Sequence, residues 1–381
     1  MDHPQLTLAE VKAEILRRAG RINPFEHVEK TEVEEVLSGL NSLEPDHWAS
    51  QWGKMGARYE AKGEVLAGQA HAQEAGEALY RAYEYYRIAR YPVPSSPGKM
   101  EAYRSAVRNY LKAAPTLTPP ARLVEIPFEG SKVVGYLQIP EGTTRPPVVL
   151  HWGGVDGWKE DRRSASESFH RAGLATFAVD MPGTGENPLP AHEPRAERTF
   201  SAAIDYLEKH TEVDGERIGA MGASFGGYWA AKLAFTEPRR LRGVVNWGGG
   251  VHHTFQEEWL RPALTLHASQ YLLGPASLLD ARAFVVRARN LEELLKIAPQ
   301  LSLKTQDLLD QPSAPLLIVN GKKDDQHPIE DLYLLLEHGD PKEARIFPEG
   351  GHMGRVPGQL NNEPLAVITS WLKKKLSASS V

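Results

Sequence analysis

Apolar positions recur at helical spacing from Leu6 to about Ala114, and beyond residue 120 they collapse into short runs of strand length. Thr7 followed three positions later by Glu10 has the form of a helix start in which each side chain caps the other's backbone. Two long helical stretches follow, roughly Pro45 to Gly68 and His71 to Arg90, both rich in Ala, Glu, Tyr and Arg. In the second, Ala75, Ala78, Leu79, Ala82, Tyr83, Tyr86 and Ala89 form one apolar face. Pro92, Pro94 and Pro97 interrupt the pattern before a further helix, Lys99 to Ala114. The Tyr and Trp residues here read first as packing between helices, and second as lining for a pocket.

Pro115 to Pro120 reads as a linker. After it, Leu123–Phe128 and Val133–Ile139 are short strands divided by Glu129-Gly130-Ser131. Val148–Trp152, Leu174–Val179, Ile218–Met221, Gly243–Trp247 and Leu316–Asn320 are apolar runs without alternation, the pattern of strands buried on both faces. Helical stretches lie between them: Ser164–Ala172, Phe200–His210, Gly227–Phe235, and a final helix from about Pro364 to Leu376. Alternating strand and helix predicts a mostly parallel sheet covered on both faces. A helical insert, about 255–309, separates two of its strands. The expected domains are therefore a helical part over 1–118 and a sheet-based part over 119–381.

Composition narrows the class. The 381 residues include no Cys, which excludes disulfides, thiolate metal sites and a cysteine nucleophile, and fits a reducing compartment. A formal charge of −5 and no long Lys/Arg block argue against nucleic acid. The first residues lack a basic stretch leading into an apolar one, and no run reaches membrane-span length. The expectation is a cytoplasmic protein with a small-molecule partner and neither nucleic acid nor membrane. No G-x-x-x-x-G-K-[ST] occurs, and Gly183-Thr184-Gly185 has Pro188 where a dinucleotide fingerprint needs Gly. Adjacent His252 and His253 are poorly spaced for a metal. No cofactor and no metal are expected.

The chemistry concentrates in Gly222-Ala223-Ser224-Phe225-Gly226, a Gly-x-Ser-x-Gly between an apolar strand and a small-residue helix. A tight strand-to-helix bend exposes the Ser hydroxyl, and the flanking Gly residues avoid side-chain clashes. The helix start adds N–H groups beside developing negative charge. A plain helix-capping Ser is the bland alternative. A nucleophilic Ser needs a base, and the base an orienting acid. Asp324 follows the strand ending at Gly321 and is the better acid, with Asp325 second. His352, on Pro348-Glu349-Gly350-Gly351-His352-Met353-Gly354, has the best context of the fourteen His, since flanking Gly would let its ring swing into a site. The two oxyanion donors are expected at the backbone N–H of Phe225 and, in the Gly-rich loop after Trp152, of Val155 or else Gly154.

With these motifs in order, the chain from Leu123 onward resembles the α/β-hydrolase superfamily. The stretches Gly76–Ala89, Trp152–Glu160 and Asp180–Glu186 resemble one branch of it, which holds 2,6-dihydroxypseudooxynicotine hydrolase, polyketide-shortening fungal hydrolases and esterases of the fermentation-respiration switch type. The resemblance implies an α/β-hydrolase fold with a helical N-terminal domain over the active site, a triad of Ser224, Asp324 and His352, and often a homodimer. Carbon–carbon bond hydrolases of the branch imply an extra carboxylate, for which Glu257 or Glu258 stands in the right segment, although His252-His253 departs from the expected acidic, aromatic pattern. Asp156 and Asp180 read as loop braces. The expected activity is hydrolysis of a small acyl compound, an ester first, through an acyl-enzyme on Ser224. The alternatives are cleavage of an activated ketone, acyl transfer or cyclisation by the same triad, and a non-catalytic binding or regulatory module.

Overall fold

The computed structural model describes residues 6–267, 271–356 and 362–377. The chain divides into two compact units: residues 1–122 with 268–281, and residues 123–267 with 282–381. The boundary lies four positions beyond the expected one (122 − 118 = 4). The expected insert is not one body either, because 268–281 groups with the helices and the rest of 255–309 with the sheet.

The first unit is built on α1 (Leu8–Arg18), α2 (Lys30–Gly39), α3 (Pro45–Gly68), α4 (Ala72–Arg90) and α5 (Pro97–Ala113). Thr7 caps α1 and is capped in return by Glu10, as its spacing predicts. Phe25, Trp48, Trp52, Tyr85 and Tyr59 form a continuous aromatic seam, with ring centroids 5.3 to 6.4 Å apart. One apolar face understates α4. It packs against both α3 and α5, and almost every residue from Ala78 to Arg90 is buried, Glu84, Arg87 and Arg90 included. Burial of those charges is offset by pairing: Arg87 lies 2.9 Å from Glu84 and donates to the Pro24 carbonyl at 2.7 Å.

The second unit holds an eight-stranded sheet in the order β1-β2-β4-β3-β5-β6-β7-β8. The strands are β1 (Arg122–Phe128), β2 (Ser131–Gln138), β3 (Pro147–Trp152), β4 (Ala175–Val179), β5 (Asp214–Ala223), β6 (Leu241–Trp247), β7 (Leu316–Gly321) and β8 (Glu343–Phe347). β2 runs antiparallel to β4, and all pairs from β4 to β8 are parallel. This is the mostly parallel sheet that the alternation of strand and helix predicts. α6 (Arg163–Arg171) and α13 (Asn362–Ser377) close one face, where Phe169, Ile368, Leu372 and Leu376 meet Val149, Met221, Val245 and Val319. α7 (Arg198–Lys209) and α8 (Phe225–Thr236) pack on β5, and Phe200 of α7 stacks on Trp152 at 4.0 Å. The remaining helices are α9 (Glu257–Pro262), α11 (Leu291–Ile297) and α12 (Glu330–Glu337), while α10 (Gly274–Val286) is divided between the two units after residue 281. Among the described residues no helix is long and apolar enough to cross a membrane.

Candidate active site

β5 runs straight into α8 with only Ser224 between them. That bend forces Ser224 to φ 57°, ψ −129°, a conformation normally left to Gly. The strain is held by its surroundings: the Ser224 N–H donates to the Trp247 carbonyl at 2.8 Å, and its carbonyl accepts from Gly227 at 2.7 Å. Gly226 is required by close approach, since a β-carbon there would come within 2.1 Å of the Gly153 carbonyl oxygen. The Trp152 indole N–H donates to the Gly226 carbonyl at 2.8 Å, so the end of β3 is bonded to the first turn of α8.

The loops after β7 and β8 bring the acid and the imidazole to this bend. His352 Nε2 lies 2.8 Å from Ser224 Oγ, and Nδ1 lies 2.9 Å from Asp324 Oδ2. Asp324 has every lone pair direction served. Asn320 Nδ2 also donates to Oδ2 at 2.8 Å, and the backbone N–H groups of Gln326 and His327 donate to Oδ1 at 2.8 and 3.2 Å. Burial alone would raise this carboxyl, but the charge and hydrogen bond of His352, with help from the Asn320 amide, bring it down to about 2. The residue after His352 is bonded on both sides. That residue, Met353, donates its N–H to Asn320 Oδ1 at 2.9 Å and accepts the Trp247 indole N–H at 2.8 Å.

The expected oxyanion donors border the same spot. A β-carbon on Gly154 would lie 2.8 Å from Ser224 Cβ, so the loop after β3 runs directly past the hydroxyl. The amides of Phe225, Gly154 and Val155 have no acceptor among the described residues. The Trp158 indole N–H holds the Val155 carbonyl at 3.1 Å. Next to it Lys159 is fully buried, with Nζ 2.9 Å from Asp180, 2.8 Å from Glu160 and 2.7 Å from Glu186. Asp180 also accepts the backbone N–H groups of Lys159 and Glu186, both at 2.9 Å, so its carboxylate ties two loops together. That is the bracing role its position suggests.

Three carboxyls around one ammonium cannot all stay ionised at low cost away from water. Burial pushes Glu160 up to about 7 against the pull of Lys159, and Asp180 adds to the rise. Such a group keeps its proton in the fold while the unfolded chain, near 4.5, has lost it. Its stabilisation is therefore complete at low pH and is lost as pH climbs from about 4.5 to 7. Glu160→Gln, which cannot ionise, is expected to lose up to about 3 kcal/mol less than wild type across that window. Urea unfolding curves measure this, and equal slopes for the two proteins would mean Glu160 is ionised in the fold.

Other predicted residues stand apart from this constellation. Glu257 and Glu258 are exposed at the start of α9. Glu257 pairs with Arg261 at 2.8 Å, and neither Glu hydrogen-bonds to Ser224, Asp324 or His352. Asp325 does not hold His352; Asp324 does. Asp156 is half-buried on the loop after β3. His252 Nδ1 bonds Ser302 Oγ at 2.7 Å, and its neighbour His253 is exposed. Sequence reasoning missed Asn320, Lys159 and His327, each a buried polar group. Asn320 carries a readable signal, as the one amide in the apolar run that becomes β7.

Comparison with known proteins follows the same lines. A family model described as Esterase FrsA-like matches residues 12–377. A 2,6-dihydropseudooxynicotine hydrolase of Paenarthrobacter nicotinovorans is 30% identical over 281 residues, 73% of this chain and 71% of the relative. An Esterase FrsA of Photobacterium profundum is 24% identical over 351 residues, covering 90% of this chain and 80% of its own. The crystal structure of a 2,6-dihydroxy-pseudo-oxynicotine hydrolase superposes with a TM-score of 0.74 at 26% identity, over 90% of this chain and 93% of that one.

Proposed function

The chain belongs to the FrsA-like esterase family, a group of α/β hydrolases, and from that premise we propose that it is a serine hydrolase that cleaves a small carboxylic ester through an acyl-enzyme on Ser224. One observation carries the reading: the unbroken line Asp324–His352–Ser224, with contacts of 2.9 and 2.8 Å. Asp324 holds the Nδ1 proton of His352, which leaves Nε2 free to take the proton of Ser224 as Oγ attacks the ester carbon. The carbonyl oxygen becomes an oxyanion and rests on the amides of Phe225 and the loop holding Gly154 and Val155. His352 then returns the proton to the departing alkoxide, and the acyl group stays on Ser224. A water deprotonated by His352 attacks next, releases the acid and restores the hydroxyl.

The exposed positions of Glu257 and Glu258 support ester cleavage over a carbon–carbon cleavage that needs their carboxylates. Labelling with a fluorophosphonate followed by peptide mass mapping tests the proposal. A single adduct on Ser224, formed in step with loss of p-nitrophenyl butyrate turnover, is the expected result. Turnover that survives full exposure to the reagent without an adduct would remove Ser224 from the mechanism.

A further inference from the structure

His327 is a second buried imidazole beside the triad, and ester cleavage as set out above gives it no role. It is 2% exposed, and its ring centroid lies 5.4 Å from that of His352, with the planes tilted by 37°. Its backbone N–H donates to Asp324 Oδ1 at 3.2 Å, so the residue is held in register with the acid. Its Nδ1 lies 2.8 Å from Thr254 Oγ1. Thr254 is wholly buried, and Nδ1 of His327 is the one partner of its hydroxyl among the described residues. A buried hydroxyl proton needs an acceptor, and here only Nδ1 can accept it. The ring proton of His327 must then sit on Nε2. Asp331 secures this arrangement from behind by accepting the backbone N–H groups of His252, His253 and Thr254 at 2.9, 2.7 and 3.0 Å.

Among the described residues Nε2–H of His327 has no acceptor, which leaves this donor, on the ring beside His352, for an oxygen of a bound molecule. Burial, with Arg282 and His352 nearby, holds this imidazole well below its usual range against the opposing pull of Asp324, so the ring is neutral. A neutral donor presents no second positive charge to His352 when that ring becomes imidazolium. His352 Nε2, facing Ser224, is the atom that hands a proton to the leaving oxygen. The departing portion of the substrate therefore lies on the His352 side of the reacting carbon, where His327 is the neighbouring polar ring.

We propose that His327 contacts the substrate directly, its Nε2–H donating to an ether, hydroxyl or carbonyl oxygen on the leaving-alcohol portion of the ester. The proposal rests on the serine hydrolase reading. It predicts that this protein favours esters of alcohols carrying a second oxygen a few bonds from the scissile one.

The test compares 2-methoxyethyl butyrate with butyl butyrate, which have the same shape and differ by an oxygen in place of a methylene. Acid release gives kcat/KM for each, and the ratio between them cancels effects common to both. In His327→Leu the ratio is expected to fall about 10–100-fold from its wild-type value. His327→Gln, whose amide also donates, is expected to keep most of the preference. A ratio unchanged in His327→Leu overturns the inference. Should that variant fail to fold, ¹⁵N spectra of histidine-labelled wild type decide instead: a proton on Nε2 of His327 supports the inference and a proton on Nδ1 overturns it. Failure of the underlying reading looks different. It would show as the absence of any fluorophosphonate adduct on Ser224 in wild type, whatever the ester ratio.

Discussion

Ser224→Ala is expected to lower kcat toward p-nitrophenyl butyrate by a factor on the order of 10⁶ while leaving the protein folded. The size follows from the arrangement. Without Oγ, His352 Nε2 loses the group it faces at 2.8 Å, and no other hydroxyl bonds to that nitrogen among the described residues. What survives is the contribution of the amides of Phe225 and the loop after β3, which can still polarise a carbonyl for direct attack by water. Retained folding is expected because Ala makes the same backbone bonds to Trp247 and Gly227. Ser224→Gly separates chemistry from strain. It is equally inactive, but it relieves a side chain held at φ 57° and is expected to unfold at higher urea, by about 1 kcal/mol. Residual turnover within tenfold of wild type in Ser224→Ala would end the acyl-enzyme reading.

Asp324→Asn is expected to cost about 10⁴ in kcat, with a much smaller change in KM. Oδ1 must go on accepting two backbone N–H groups, so the new amide nitrogen replaces Oδ2. There it meets two donors, Asn320 Nδ2 at 2.8 Å and His352 Nδ1 at 2.9 Å. His352 can relieve the clash only by moving its proton from Nδ1 to Nε2, and that proton then blocks Nε2 from deprotonating Ser224. The same site predicts a pH signature. A carboxyl brought down to about 2 in the fold, from 3.8, adds stability that is present above about pH 4 and is lost as pH falls through 2. The unfolding free energy of wild type should therefore approach that of Asp324→Asn as pH is lowered through this range. A KM effect alone, with kcat preserved, would show that Asp324 does not orient the base.

Much of the architecture was legible because it depends on local patterns. Apolar runs without alternation predict strands buried on both sides, and β3 and β4 are buried almost throughout. β8 was missed because Glu-Ala-Arg-Ile-Phe has no such run: it is an edge strand, mostly exposed, and exposed edges need little apolar surface. Helix α4 shows the opposite failure. Its spacing marks one apolar face, yet Glu84 and Arg87 are buried as well, because each neutralises the other across one turn. The insert could be located but not divided, since which unit a helix joins depends on contacts far away in sequence.

The sequence by itself determined the alternation of strands and helices as far as β7, the Gly-x-Ser-x-Gly bend, and the succession of a serine, an acid and a histidine. Each depends on neighbours a few residues away, and side-chain period and turn geometry act at that range. Only the tertiary structure decided that Asp324 rather than Asp325 faces His352, that Lys159 anchors the loop after β3, and that His327 stands beside the base. These are matters of distance between β5, β7 and the loop after β8, whose residues lie 128 and 28 positions from His352 along the chain. A buried charge or donor becomes meaningful only when its partners, or the lack of one, are known in space.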